Sequence, residues 1–179
     1  MAITDKEIIS TVKAKPETGF RLLLAKYREP VYWHIRRLVV THADAEDATQ
    51  ETFVRIFRSF SSHSESSSFA AWIYRIATNE ALRLIGRKRE GRVSLDSNPG
   101  CVGTVTTDNY IDYGDLEAVR LQQAILSLPT KQQLTFNLRY YDELSFNEIG
   151  DITGSSAATA KVNYHLAKNK IIEFINSHD

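Results

Sequence analysis

Apolar residues recur at steps of three and four along most of the 179-residue chain, and strand-like alternation is almost confined to residues 92–106. The stretch 69–89 shows the helical pattern most clearly, with Glu80 as its one polar interruption. Such spacing gathers apolar side chains on one face of a helix, which then has to pack against other helices. The sequence therefore predicts an all-α protein.

A change of composition divides the chain into two parts. Residues 91–114 contain four glycines, a proline and many small polar side chains, and such a segment cannot bury enough apolar surface to order itself. We therefore expect two small helical domains, residues 1–90 and 115–179, joined by a flexible linker at 91–114. The C-terminal domain is expected to contain a helix-turn-helix.

Turn and capping residues set the expected helix boundaries of the first domain. Helices are predicted over residues 5–14, 17–40, 44–60 and 69–89. Pro30 is expected to break or kink the second of them, because proline removes a backbone donor and clashes with the preceding turn. The segment SSHSESSS at 61–68 is expected to be a polar loop with no means of packing, in which His63 is solvated.

Composition argues against several classes of protein. No run approaches the roughly 20 apolar residues of a membrane span, and the acidic start of the chain does not look like a signal peptide, so we expect a cytoplasmic protein. Cys101 is the single cysteine and cannot form an internal disulfide or a metal site by itself. Since no glycine-rich phosphate loop or Ser/His/Asp arrangement is present, we expect no catalytic activity, no cofactor and no metal.

The net charge is zero, but the charges are unevenly distributed. Residues 1–92 carry 16 Lys and Arg against 11 Asp and Glu, whereas residues 93–179 carry 6 against 11. This difference suggests different partners for the two halves. Nucleic-acid-binding proteins commonly have a basic excess, so DNA binding by this chain has to rest on local patches.

Residues 144–171 form the most specific local pattern. Ser145 and Glu148 are spaced as a capping box that begins a short helix, and Gly154 suits the left-handed conformation that ends one. Ser156 then begins a longer helix, which completes the outline of a helix-turn-helix with its second helix suited to the major groove. A helical hairpin that packs without touching DNA would give the same pattern, so both interpretations stay open at this point.

An acidic ridge lies near the start of the helix predicted over residues 44–60. Asp44, Asp47 and Glu51 supply its carboxylates, and Gln50 lies beside them. Carboxylates near a helix N-terminus are also favoured by the helix dipole alone. The ridge is therefore a simple device of helix stability, or else a set of metal ligands or an acid/base pair, although no histidine or cysteine lies at a spacing that would strengthen such a site.

A basic track follows the next helix on the face opposite its apolar pattern. Its members recur mostly at steps of four: Arg75, Asn79, Arg83 and Arg87, followed by Lys88. Cations spaced in this way can follow a phosphate backbone, and Asn79 can pair bidentately with a base edge. Trp72 can stack on an unpaired base, although its spacing is also that of a core residue.

Taken in order, these segments resemble regions 2 and 4 of the extracytoplasmic-function (ECF) sigma factors of the sigma-70 family. DAEDATQETF, from Asp44, is similar to the region 2.1–2.2 form D-A-E-D-x-x-Q-E-x-F. FAAWIYRIATN, from Phe69, is similar to F-x-x-W-L-Y-R-I-A-x-N of region 2.3–2.4 almost residue for residue. Residues 126–133 and 138–150 resemble the start of region 4.1–4.2. Two blocks in the family's order are far more specific than either one alone.

The resemblance implies a protein that binds core RNA polymerase and promoter DNA and catalyses nothing itself. The implied polymerase-docking residues are Asp44, Asp47, Gln50 and Glu51. Those near the −10 element are Trp72, Arg75, Asn79, Arg83, Arg87 and Lys88, of which Asn79 matches an asparagine that holds a flipped base. Those near the −35 element are Ser155, Ser156, Ala157, Thr159, Lys161, Asn163, His165 and Lys168. An anti-sigma factor is a common further partner in the family.

The chain departs from the family's pattern at two places. The loop at 61–68 is longer than usual, so a −10 base preference does not carry over. In the second helix of the helix-turn-helix, Asn163 and Leu166 stand where many relatives have arginine, so the −35 contacts do not carry over directly either. The alternative is a stand-alone helix-turn-helix regulator that binds duplex DNA without polymerase, which leaves the acidic ridge unexplained.

Overall fold

The computed structural model describes residues 2–39, 41–93 and 114–178, with the side chains of residues 89 and 91–93 excepted. All regular secondary structure in these residues is helical, which confirms the predicted fold class. The chain divides into two compact units, Met1–Thr104 and Val105–Asp179, called the N-terminal and C-terminal units below. Most of the linker expected at 91–114 lies outside the described residues. No described helix combines the length and apolar character needed to cross a membrane.

The described residues of the N-terminal unit form four α-helices and one turn of 3₁₀ helix. These are α1 (Asp5–Ala14), α2 (Pro16–Leu38), α3 (His42–Ser59), the 3₁₀ turn (Phe60–Ser62) and α4 (Phe69–Val93). The start of α3 precedes the expected position by two residues, because the Thr41 hydroxyl caps the helix by accepting a hydrogen bond from the Asp44 N–H at 3.1 Å. The helix α4 also continues past its expected end, into the segment assigned to the linker.

The helix α2 runs through Pro30 without ending there. Pro30 is exposed, so water can hydrate the carbonyl of Lys26 that a proline leaves without its helical donor. Leu23 and Val31, on the buried side, are fully buried and keep the helix packed on both sides of the proline. Of the break or kink expected at Pro30, the break does not occur.

His63 in the loop before α4 packs against the unit, which corrects the expectation that this side chain is solvated, while residues 64–67 of the loop are exposed as expected. The ring centroid of His63 lies 5.2 Å from that of Phe69 and 5.0 Å from that of Trp72. Glu65 forms an ion pair with Lys13 of α1. Burial lowers the pKa of His63. The neighbouring residues in the sequence are polar, which is why His63 was expected to be solvated. The faces of an imidazole ring are apolar, however, and can pack against the aromatic rings of Phe69 and Trp72.

In the C-terminal unit, residues 114–178 form four helices. These are α5 (Leu116–Leu126), α6 (Thr130–Tyr140), α7 (Phe146–Thr153) and α8 (Ala157–Ser177). Its core is formed by Ala124, Ile125, Leu128, Phe136, Ala167 and Ile171. The helices α5, α6 and α7 all pack on α8, so the core residues of α8 fix which of its faces remains exposed.

The local signals of the helix-turn-helix are confirmed. Ser145 and Glu148 form the capping box of α7, and Gly154 takes a left-handed conformation with φ 70° at its end. The Ser156 hydroxyl caps α8 by accepting a hydrogen bond from the Thr159 N–H at 3.1 Å. Gly150 of α7 allows the turn between α7 and α8 to pack closely against α7. A Cβ at this position would lie 2.7 Å from the carbonyl oxygen of residue 155 and would clash with it.

Candidate functional surfaces

Three of the four expected docking residues share one exposed face of α3. Asp47, Gln50 and Glu51 are exposed, and their spacing of three and four places them side by side on the helix. Val54 and Phe57 are also exposed and continue this face by one to two turns. We call these five residues the α3 face. Its apolar half was missed in the sequence, because Phe57 fits the same helical pattern as the core residues.

The fourth residue, Asp44, lies apart from the α3 face. Its side chain is only 15% exposed, and its carboxylate forms an ion pair with Lys88 of α4. The family resemblance implied that Asp44 contacts polymerase and that Lys88 contacts DNA. The structure brings these two side chains together. The pair joins the N-terminal turn of α3 to the C-terminal half of α4.

An open groove between α2 and α3 borders the α3 face. One part of about 300 Å³ is lined by Leu24, Arg28, Glu46, Thr49, Gln50, Phe53, Val54 and Phe57. A larger part of about 730 Å³ extends along α2 as far as Tyr32. Arg28 and Glu46 approach each other across the groove at 3.7 Å. The groove gives the α3 face a concave flank of mixed apolar and charged character.

The basic track lies on the exposed surface of α4, as a row from Arg75 to Arg87 with Lys88 to one side of it. Its five members are all exposed: Arg75, Asn79, Arg83, Arg87 and Lys88. In the described part of the chain, no ion pair involves Arg75 or Arg87. The amide of Asn79 therefore lies one turn after Arg75 and about two turns before Arg87, and both of these cations are available to a phosphate.

A buried carboxylate lies beneath the track. Glu80 is 3% exposed and forms ion pairs with Arg55 of α3 and with Arg83, the latter at 3.2 Å. A buried carboxylate needs such partners, since an unpaired buried charge is strongly disfavoured. The Nε atom of Arg55 also lies 3.6 Å from Oε1 of Glu51. A chain of four charges therefore runs from the α3 face through Arg55 and Glu80 to Arg83 on the track.

Trp72 belongs to the core of the N-terminal unit. It is 7% exposed, and its ring stacks on that of Phe69 with a centroid separation of 5.8 Å. Tyr74 is also buried, and its ring meets the ring of His34 edge-on at 5.2 Å. The faces of these rings are taken up by protein neighbours, so Trp72 is placed to support the loop at 61–68 and not to stack on a base.

Most of the expected −35 residues are exposed on α8 or in the turn before it. Those classed as exposed are Ser156, Thr159, Lys161, His165 and Lys168, and those partly exposed are Ser155, Ala157 and Asn163. Ala160 and Ala167 are fully buried and face the unit's core. Val162 and Leu166 are exposed as well, although the sequence analysis did not include them among the site residues.

No metal site is formed by the described residues, since no three His, Cys, Asp or Glu side chains lie close enough together to hold an ion. The candidate surfaces are instead one mixed acidic and apolar face, one basic helix and one helix-turn-helix. Surfaces of this kind bind macromolecules, and the basic ones have the charge that nucleic acid requires.

Comparison with protein families agrees with this description. Residues 23–91 match the model for Sigma-70 region 2, and residues 118–171 match the model for Sigma-70, region 4. The ECF RNA polymerase sigma factor SigW of Bacillus subtilis is 31% identical over 181 residues, which cover 96% of each chain. The ECF RNA polymerase sigma-E factor of Escherichia coli is 27% identical, over 94% of this chain and 93% of its own length.

Two solved structures share the fold. The sigma factor RpoE of Bartonella quintana, determined in complex with the anti-sigma factor NepR, has a TM-score of 0.71 and 23% identity, covering 88% of this chain and 96% of its own. CnrH, determined in complex with the cytosolic domain of CnrY, has a TM-score of 0.74 and 18% identity, covering 98% and 99%.

Proposed function

The chain belongs to the ECF RNA polymerase sigma factors of the sigma-70 family, and we propose that its three surfaces divide promoter recognition between them. As a sigma factor, it binds core RNA polymerase and directs promoter-specific initiation of transcription. The observation that carries this function is the ordered pair of matches to regions 2 and 4, each lying on its own compact helical unit.

Each unit takes one part of this work. Residues 1–90 act as region 2, which binds core polymerase and recognises and melts the −10 element. Residues 115–179 act as region 4, which reads the −35 element through the helix-turn-helix. Residues 91–114 act as the linker between them.

The α3 face is the polymerase-docking surface. Its carboxylates, Asp47 and Glu51, offer charge to basic partners, and the exposed side chains of Val54 and Phe57 offer apolar surface that docking would remove from water. Gln50 lies between the charged and the apolar halves. Asp44 contributes indirectly, since its ion pair with Lys88 holds the start of α3 against α4.

The exposed face of α4 contacts the −10 element. The amide of Asn79 has donor and acceptor groups suited to the edge of an unpaired base, and Arg75 and Arg87 are free to contact phosphates. Arg83 and Lys88 contribute less, because carboxylates of the same unit already compensate their charge.

The turn before α8 and the exposed face of α8 contact the −35 element. The proposed residues are Ser155, Ser156, Ala157, Thr159, Lys161, Asn163, His165 and Lys168. Hydroxyl and backbone N–H groups at the start of a helix suit phosphates, while side chains one to two turns further along reach base edges in the major groove.

Further properties follow from membership of the family. We propose that the protein acts in the cytoplasm with polymerase, without catalytic activity or a cofactor of its own. We also propose an anti-sigma factor as a third partner, in the manner of the complex that RpoE of Bartonella quintana forms with NepR.

Reconstituted transcription tests the function. The purified chain is added to core polymerase from the same organism on fragmented genomic DNA, and transcript 5′ ends are mapped. Starts that share a −10 and a −35 motif, and that need both proteins, are expected. Asn79→Ala should lower open-complex formation about tenfold, since a bidentate amide–base pair is worth about 1–3 kcal/mol. Starts that are identical with and without the chain would contradict the proposal.

A further inference from the structure

We propose that α8 reads its DNA site partly through an apolar contact, in which Val162 and Leu166 meet thymine methyl groups in the major groove. This inference rests on the proposed −35 recognition and specifies its chemistry. Neither residue was among the expected site residues, and neither side chain can donate or accept a hydrogen bond.

The geometry of α8 presents both side chains together. Val162 is 57% exposed and Leu166 is 43% exposed, and their spacing of four places them one turn apart on the same side of the helix. Ala160, Ala167 and Ile171 are buried in the core of the unit, and they hold the opposite side of α8. The two apolar side chains therefore point away from the body of the unit and form a small continuous patch.

The charges around this patch identify its occupant as DNA. Lys161, Lys168 and Lys170 lie on α8, and no acidic residue occurs between Ala157 and Ile172. These three lysines are half of the six basic residues in the otherwise acidic segment 93–179. Cations on a helix that presents an apolar patch complement the phosphates on both sides of a groove.

The chemistry of the patch selects the base. On the major-groove edge, guanine and adenine present hydrogen-bonding groups, and thymine alone adds a methyl group. An arginine at position 166 would read guanine, whereas leucine there can gain free energy only from an apolar atom. The site read by Val162 and Leu166 should therefore contain A·T pairs, with the thymine methyls in contact with these two side chains.

Replacing thymine by deoxyuridine tests the contact, because this change removes the methyl group and leaves every hydrogen-bonding group in place. Holoenzyme is reconstituted from core polymerase and the full chain, and open-complex formation is measured at a promoter found by start-site mapping. Templates carry deoxyuridine at single −35 positions. For the unaltered chain, each methyl in contact should contribute about fourfold, which corresponds to the burial of one methylene-sized group.

Two substitutions and a matched control locate the effect on the protein. Val162→Ala and Leu166→Ala should lower activity on the thymine template and should each lose sensitivity to deoxyuridine at one position. Ile172→Ala is the control, since Ile172 is also an exposed apolar residue of α8, at 53%, but lies almost two turns beyond Leu166. It should behave as the unaltered chain on both templates. Circular dichroism checks that all three variants keep their helices.

Three outcomes would overturn the inference. If −35 mutations abolish transcription but deoxyuridine has no effect, the proposed function stands and the methyl contact is wrong. If Val162→Ala and Leu166→Ala lower activity equally on both templates, or weaken self-association in sedimentation instead, the patch has another occupant. If the chain directs no promoter-dependent transcription at all, the proposed function fails, and this inference fails with it.

Discussion

The two helices proposed to contact DNA, α4 and α8, differ in whether their basic side chains form ion pairs within the protein. On α4, Arg83 pairs with Glu80 and Lys88 pairs with Asp44. On α8, Lys161 takes part in none of the ion pairs described for this structure, and Lys168 lies 5.5 Å above the ring of Tyr164. Arg83 and Lys88 of α4 therefore serve both packing and binding, whereas the proposed binding charges of α8 contribute little to the fold.

This difference has a physical basis in burial. Glu80 is buried in a helix that packs on both α2 and α3, so its carboxylate requires cations from neighbouring surfaces. The core of the C-terminal unit is apolar where α8 crosses it, and α8 needs no compensating charge there. Substitutions of the paired cations Arg83 and Lys88 should therefore change stability and binding together, and those of the lysines on α8 should change binding alone.

The largest effect is expected at the α3 face. Replacing both Asp47 and Glu51 with alanine should weaken binding to core polymerase by roughly a hundredfold, since two close charge pairs across an interface at about 1.5 kcal/mol each contribute about 3 kcal/mol. Competition with a labelled sigma factor for core polymerase measures this change.

Asp44→Asn is the matched control for that experiment. This change removes a carboxylate from the same helix and breaks its ion pair with Lys88. It leaves the residues of the α3 face unaltered. It should lower the stability of the N-terminal unit more than its affinity for core polymerase. If the variant with alanine at both 47 and 51 binds core polymerase as tightly as the unaltered chain, Asp47 and Glu51 do not contribute to docking.

The second effect concerns the buried carboxylate. Glu80→Gln should lower the free energy of unfolding of the N-terminal unit by about 2 kcal/mol, because Arg55 and Arg83 lose the negative charge with which they form ion pairs. Urea unfolding followed by tryptophan fluorescence reports this unit, since both tryptophans, Trp33 and Trp72, lie in it. Glu90→Gln, an exposed change on the same helix, should alter stability little. If the two changes lower the free energy of unfolding equally, the ion pairs of Glu80 do not stabilise the unit.

Salt dependence should separate free cations from paired ones. Lys161→Ala should flatten the slope of log affinity against log salt by about 0.9, the value for one phosphate contact on duplex DNA. Arg83→Ala should flatten it less than Arg75→Ala does, because Glu80 already compensates the charge of Arg83. Promoter binding by holoenzyme over a range of KCl concentrations gives these slopes. Equal slopes for Arg83→Ala and Arg75→Ala would show that the ion pair with Glu80 does not reduce the contribution of Arg83 to DNA binding.

The smallest effect concerns pH. Burial lowers the pKa of His63 below its ordinary value of 6.5, so the unfolded chain binds more protons than the folded one between that lowered pKa and 6.5. The stability of the N-terminal unit should therefore fall as pH drops through this window. His63→Phe should reduce this loss, because phenylalanine keeps the contacts with Phe69 and Trp72 without titrating. Parallel stability profiles for the two proteins from pH 7 to 5 would contradict this role.

Local chemistry made much of the fold predictable from sequence. The caps Ser145 and Ser156 and the left-handed Gly154 act within one or two turns of the residues they affect, so the helix-turn-helix could be placed without knowing its neighbours. The same holds for the exposed track on α4, because a spacing of four fixes one side of a helix.

Contacts between distant segments could not be predicted. The pair between Asp44 and Lys88 joins residues 44 positions apart, and the sequence gives no rule that brings those positions together. The packing of His63 depends on where Phe69 and Trp72 lie in space. The exposure of Val162 depends in the same way on which side of α8 the other helices cover.

The central claim, that the chain recognises promoters as a part of RNA polymerase and not by itself, is tested most directly by DNA binding with and without core polymerase. A labelled duplex that carries a mapped promoter is titrated with the chain alone, with core polymerase alone, and with both. The account predicts weak, nonspecific binding by the chain alone and a specific complex only when both proteins are present. Tight, sequence-specific binding by the chain without polymerase would contradict it and would identify a stand-alone regulator.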